Sequence, residues 1–147
     1  YLQQYDHWTS HGGKCPPMVS FMQTAWETAW RGKIALLQKD WKTFGDLMNL
    51  NHVVVDKMMV YCGFEDGAGW ANNLLIRSAL DNDAFGAKLT GAGSGGSVFA
   101  MTPPDSIEHL KKIWETTARK AGLENAQIYQ PRISRRGLIV EPLKNPG

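Results

Sequence analysis

From Met18 to Lys39 the apolar and small residues fall three and four apart, at Met18, Phe21, Met22, Ala25, Ala29 and Leu36, with Lys33 on the same line. That period predicts a helix. Asp40 is placed to cap a second one, whose apolar face holds Trp41, Phe44, Leu47, Met48, Val55, Met58 and Met59 and which Gly63 ends. A loop around Gly67 to Gly69 leads to a third, shorter helix from about Trp70 to Leu80, and Asp81-Asn82-Asp83 reads as a turn. The pattern then changes. Two β-like stretches, 85–90 and 97–101, flank a run of small residues, and Pro103-Pro104 ends the second. Asp105 or Ser106 can cap a fourth helix to about Ala121, with Ile107, Leu110, Ile113, Trp114 and Ala118 facing inward and Gly122 as its stop. Gln127 to Pro131 and Gly137 to Glu141 are two further strand candidates. The order predicts an α+β fold with helices packed on one face of a mostly antiparallel sheet. Methionine and tryptophan residues at helical spacing are expected in its core.

Residues 1–17 are polar and turn-rich, with Gly12-Gly13 and Pro16-Pro17 as breakers, and read as a lead-in segment to a domain at 18–147. The chain has 147 residues, 43% of them hydrophobic, which suits one domain with a real core. Its 16 basic and 14 acidic residues leave a net charge of +2, too balanced to argue for nucleic acid as a partner. No apolar run approaches the roughly 20 residues that cross a bilayer. Cys15 and Cys62 lie far apart in no metal-like spacing. With no signal peptide in view, a cytoplasmic setting is expected, and the start at Tyr1 suggests sequence from within a longer protein.

The most informative segment is Gly91-Ala92-Gly93-Ser94-Gly95-Gly96-Ser97. Glycine is costly in backbone entropy, so four in six positions call for a reason. They free the chain to adopt positive φ and to bring bare N–H groups together as an anion-binding concavity, for which phosphate is the common occupant. Gly91, Gly93 and Gly96 match the spacing of the dinucleotide fingerprint. That fingerprint must open a helix, and here Val98-Phe99-Ala100-Met101 and a proline follow. The P-loop is excluded as well, since no Lys-Ser/Thr pair follows the last glycine. A plain hairpin connection would turn with two glycines.

The stretch Lys88-Leu89-Thr90-Gly91-Ala92-Gly93-Ser94-Gly95-Gly96 resembles the third signature motif of the GHMP kinases, relatives of galactokinase, homoserine kinase, mevalonate kinase and phosphomevalonate kinase. Leu36-Leu37, Asp40 and Leu47-Met48-Asn49, followed by Asn51-His52, resemble the segment that precedes it. The resemblance spans roughly residues 18 to 141. Ser94 stands where many members have glycine and Ser97 where many have cysteine, which bears on the subfamily. The resemblance implies a two-domain kinase using ATP and Mg2+, bound mainly by an N-terminal domain with a G-L-G-S-S loop. This chain would be the other half, a ferredoxin-like antiparallel sheet with additional helices. It holds no G-L-G-S-S and no catalytic residue, so by itself it is expected to be inactive. Its expected partners are that N-terminal domain and a small hydroxylated substrate. The look of the Leu47 to His52 helix favours a sugar or sugar acid, with mevalonate-type and homoserine-type acceptors as alternatives. A ligand-binding domain that has lost kinase activity is the reading from another class. Oligomers stay open.

Phosphoryl transfer is mostly positioning and charge stabilisation, so amides from Ala92 to Ser97 would supply donors near the phosphates. Lys88 offers charge there, or else is a solvent-facing strand lysine. Asn51 and His52, with Asn49, are candidate substrate contacts, against the plainer reading of Asn49, His52 and Asp56 as a polar helix face. His7, His11 and Cys15 lack a fourth ligand, so no metal site is expected; His11-Gly12-Gly13-Lys14 could instead touch a sugar. Arg132, Arg135 and Arg136 form a small basic cluster with a solvated strand end as its default.

Overall fold

The computed structural model describes residues 16–91 and 96–132. Four helices and one hairpin make up these segments: α1 (Pro16–Gln38), α2 (Trp41–Tyr61), α3 (Trp70–Leu80), β1 (Gly86–Thr90), β2 (Ser97–Met101) and α4 (Ile107–Lys120), the last entered by a short 3-10 turn at Pro104–Ser106. Up to Lys120 the order of elements expected from the periodicity is the order observed.

The helix ends follow their local chemistry. Asp40 accepts the Thr43 N–H at 3.0 Å and so starts α2. At its other end Gly63 adopts φ +93°, and Phe64 N–H reaches back to Met59 O at 3.0 Å. Gly122 does the same for α4 at φ +71°, with Leu123 N–H on Ala118 O at 2.9 Å. A left-handed residue followed by this six-to-one bond is the usual glycine helix stop.

β1 and β2 pair antiparallel, with Lys88 opposite Phe99 and Thr90 opposite Ser97. Strand alternation sends Ala87, Leu89, Val98 and Ala100 to one face. There they meet Met59, Ile76, Ala79, Leu110 and Trp114 in the main core. The Trp114 indole N–H donates to Leu75 O at 2.9 Å, which ties α4 to α3. A second cluster, Met18 and Met58 with Phe21, holds α1 against α2.

The contact between α2 and the start of β1 is made by backbone. A side-chain carbon on Gly45 would lie closer than 3.0 Å to Phe85 O and C, and one on Gly86 equally close to Gly45 O and Cα. Asn49 then covers the free edge of β1. Its Oδ1 accepts Ala87 N–H at 2.9 Å and its Nδ2 donates to Phe85 O at 3.4 Å. One carboxamide thus offers the acceptor and donor that the peptide of a neighbouring strand would offer. Asn49→Ala is expected to cost about 1–3 kcal/mol, because the N–H of Ala87, 0% exposed, is left without its partner. Urea unfolding of the two proteins measures it, and equal midpoints would show that this bond contributes nothing.

Three expectations are corrected. Gln127 to Pro131 forms no strand; it runs beside β2 without ladder bonds among the described residues, and a largely apolar groove lined by Met101, Leu110, Trp114 and Tyr129 separates them. The backbone pairing that makes a strand is therefore missing, whatever the side-chain pattern. Second, the tryptophans are mostly outside the core: Trp26, Trp30, Trp41 and Trp70 are all exposed, while Trp114 is half-buried. Helical spacing identifies a stripe, not what covers it. Third, Asn49, His52 and Asp56 face inward, because α2 is packed on more than one side. The expectations placed on His7, His11, Lys14, Cys15, Arg135, Arg136 and the strand at Gly137 to Glu141 lie outside the described residues.

Candidate functional site

The tip of the β1–β2 hairpin is where the glycine-rich segment sits. Of its seven residues, Gly91, Gly96 and Ser97 are described, and Ala92, Gly93, Ser94 and Gly95 lie outside the described residues. Both flanking glycines adopt positive φ, +78° at Gly91 and +97° at Gly96, so both use the conformation for which glycine is suited. Nothing lies within 4 Å of the space a side chain would take at either. Thr90, Gly91, Gly96 and Ser97 are all exposed. The described ends of the loop are therefore open to solvent, not folded onto the domain's own side chains.

Behind this tip, Lys88 shares a hollow of about 200 Å3 with Asn51, Thr28, Phe44, Met48 and Phe99. Lys88 is half-buried; its ammonium donates to Leu89 O at 2.7 Å and lies 5.4 Å from the centre of the Phe99 ring. Burial lowers its pKa from the usual lysine range. That placement is not the one of a fully solvated strand lysine. Asn51 donates through Nδ2 to Thr28 Oγ1 at 2.9 Å, and that hydroxyl in turn donates to Ala25 O. Its side chain thus joins α2 to α1 at the wall of the hollow.

His52 is 8% exposed and its Nδ1 has no hydrogen-bond partner. Burial pushes its pKa down, outweighing the nearby Asp56 carboxylate that pulls it up. Asp56 accepts two bonds at Oδ1, from Ala68 N–H at 2.8 Å and Asn73 Nδ2 at 2.9 Å. It ties the turn before α3 to the middle of α2, and Gly67 is required there because a side chain would strike this carboxylate. Asn49, His52 and Asp56 therefore form a polar seam that faces inward, with His52 buried and the other two half-buried. The physical reason is that α2 is covered on both sides, by α1 and by the hairpin. The sequence carries one sign of it: Asn49, Asn51 and His52 interrupt an otherwise apolar run with residues that need partners.

The described residues bring Lys88 and Asn51 to one hollow, place His52 in the interior beside it, and set Gly91, Gly96 and Ser97 at an exposed tip. Asn49 and Asp56 make long-range structural bonds that the sequence pattern does not show. Of the groups at the described ends of the loop, the hydroxyl of the exposed Ser97 suits a phosphate oxygen. Among the described residues no three His, Cys, Asp or Glu side chains gather as a metal site. Cys62 is a free thiol, and no described helix is long and apolar enough to cross a membrane.

Comparison with known proteins agrees with this geometry. The family described as "GHMP kinases C terminal" matches residues 73–120, which include most of α3, the hairpin and α4. The mevalonate kinase of Methanothermobacter thermautotrophicus is 31% identical over 101 residues, covering 67% of this chain and 30% of that protein. The mevalonate kinase of Pyrococcus abyssi is 34% identical over 100 residues, 68% of this chain and 25% of that protein. That of Thermococcus sibiricus is 29% identical over 102 residues, 69% of this chain and 26% of that protein. The chain thus spans less than a third of the length of these curated relatives.

Proposed function

This chain belongs to the GHMP kinases and carries their C-terminal domain, and from that premise we propose that it completes an ATP-dependent kinase acting on the hydroxyl group of a small molecule. The observation that carries the reading is the hairpin tip. Its described ends are exposed, and it is entered and left through glycines at positive φ with open space around both. Such a tip can add donors to a phosphate chain held mainly by another domain, and it can brace that domain's own phosphate loop. The nucleotide is ATP, and Mg2+ is held elsewhere in the enzyme.

For the acceptor we propose a mevalonate-type hydroxyl. The relatives named above are mevalonate kinases, and a sugar or sugar acid, favoured by the look of the 47–52 helix, draws no support from them. That helix turns its Asn49, Asn51 and His52 to internal bonds or burial, which weakens the reason for reading a sugar there. Lys88 is proposed as a buried support of the loop's stem and not as a phosphate contact.

ADP release measured with mevalonate, galactose and homoserine as alternative acceptors tests this on the whole kinase that contains the chain. Turnover with mevalonate above the other two is the expected outcome. The 147-residue chain by itself is expected to release no ADP above background. ATP-dependent turnover by it alone, or a whole protein inert toward all three acceptors, would contradict the proposal.

A further inference from the structure

A lysine taken partly out of water is normally paired with a carboxylate, because burial disfavours the ammonium. Lys88 is not. Among the described residues no carboxylate pairs with it, and its ammonium donates only to Leu89 O, at 2.7 Å. Burial lowers its pKa with no opposing pull from a neighbouring anion. The charge is thus held without the counter-ion that would offset its desolvation.

Lys88 and Phe99 stand opposite each other on β1 and β2, on the hairpin face away from the main core. Helices α1 and α2 border that face without filling it. Where α1 passes it carries Thr28, Ala29 and Gly32, all small, and a hollow of about 200 Å3 is left. Phe44, Met48 and Phe99 give the hollow apolar walls, and Phe99, 43% exposed, leaves it open to solvent. Thr28 and Asn51 also line it, but they are engaged with each other and with Ala25 O. The ammonium has three N–H donors, of which Leu89 O takes one. What faces the hollow is one positive charge with donors to spare, set among carbon.

Those features define a ligand. One cation matches one negative charge, and a carboxylate accepts well from an ammonium. A phosphate dianion carries more charge and more acceptor oxygens than a single ammonium can serve. The walls call for carbon behind the charge. A hollow of about 200 Å3 takes about seven water-sized atoms at ~30 Å3 each, which is the number of non-hydrogen atoms in pentanoate.

We propose that the hollow between α1, α2 and the hairpin is a binding site for a small monocarboxylate, with the carboxylate on the Lys88 ammonium and a compact carbon chain against Phe44, Met48 and Phe99. The bond to Leu89 O persists, so Lys88 still braces the stem of the loop.

Methionine-methyl NMR of the 147-residue chain, titrated with sodium pentanoate at constant ionic strength, reads occupancy directly. The Met48 methyl line should shift and saturate, with a Kd of about 1–10 mM for a ligand this small. Met18 and Met58 belong to the second cluster and Met59 to the main core, so their lines are the reference and should stay put. Pentan-1-ol keeps the chain without the charge and should bind at least about 10-fold more weakly. Pentylamine and inorganic phosphate should leave Met48 unmoved. Lys88→Met should lower affinity for pentanoate about 10-fold or more yet preserve that for pentan-1-ol, a pattern that collapse of the hollow does not give. Gly32→Leu fills the space from α1, where a side-chain carbon meets Phe44 only at ordinary contact, and should abolish binding of both. The proposal is overturned if Met48 does not respond to pentanoate by about 50 mM, if pentan-1-ol binds as well as pentanoate, or if Gly32→Leu leaves binding unchanged. A carboxylate of the chain's own that already pairs with Lys88 would keep pentanoate out, and overturns it as well. The ligand comparisons are made on the unaltered chain, so they decide the outcome even where a variant fails to fold. Pentanoate binding reads this hollow alone, whatever acceptor the whole kinase takes.

Discussion

Gly45→Ala is expected to destabilise the domain by about 3 kcal/mol or more, and Gly45→Val to prevent folding altogether. On helix propensity alone the alanine change should help by about 1 kcal/mol, because glycine in a helix interior is unfavourable. The structure reverses that sign. The added carbon would meet the backbone carbonyl of Phe85 closer than 3.0 Å, and backbone held by strand pairing cannot swing aside as a side-chain tip can. Relief requires α2 to move away from β1, which also breaks the Asn49 bonds to Phe85 and Ala87. Gly32 in α1 is the internal control. A side-chain carbon there meets only the Phe44 ring, at 3.6 Å, which is ordinary contact. Gly32→Ala is therefore expected to stabilise by about 0.5–1 kcal/mol. Urea unfolding of the three proteins followed by circular dichroism compares them. If Gly45→Ala and Gly32→Ala move the midpoint the same way, the backbone contact between α2 and β1 is not what holds the hairpin.

Gly96→Val carries the second large effect, and it falls on activity. At φ +97° a β-branched residue is strained, and the strand side of the loop must either tolerate that or adopt a new path. Open space around the position means no packing is lost, so the stability cost should stay near 1–3 kcal/mol. The N–H donors proposed for the tip, however, would lose the backbone path that Gly96 sets. Loss of a single pre-aimed donor to developing charge commonly slows an enzyme by about 100- to 1,000-fold, and a comparable fall in kcat is expected in the whole kinase. Gly122→Val separates the two consequences. Gly122 has φ +71° and equally open space, but it ends α4 and lies outside the hairpin. It should show the same loss of stability with kcat preserved. Unchanged turnover in Gly96→Val, or an equal loss in both variants, would remove the hairpin tip from the reaction.

Residue pattern and local chemistry carried a good deal of this. Asp40, Gly63 and Gly122 mark helix ends through bonds their own neighbours make, so their effect is written within a few residues of sequence. The two strands and four helices followed from a period of two against a period near 3.6. The glycine-rich segment stood out because nothing local explains four glycines together. The family resemblance drawn from it agrees with the match over 73–120.

Other features belong to long-range contacts, which sequence spacing does not encode. Asn49, thirty-eight residues from its partner Ala87, becomes a substitute strand edge only when α2 meets the hairpin. Gly45 and Gly86 look like weak points in a helix and a strand until the two backbones are seen to touch. Gln127 to Pro131 has a strand's composition but makes no ladder bonds among the described residues, since pairing depends on what lies alongside. The tryptophans of α1 follow the helical period as faithfully as the buried methionines do; periodicity places a residue on a face, and only the packing of α2 on one face decides which is covered. Local bonds and repeat period were thus settled by the chain's own order, whereas burial, edge covering and the close approach of backbones were settled by the tertiary structure, because each depends on groups brought together from distant parts of the chain.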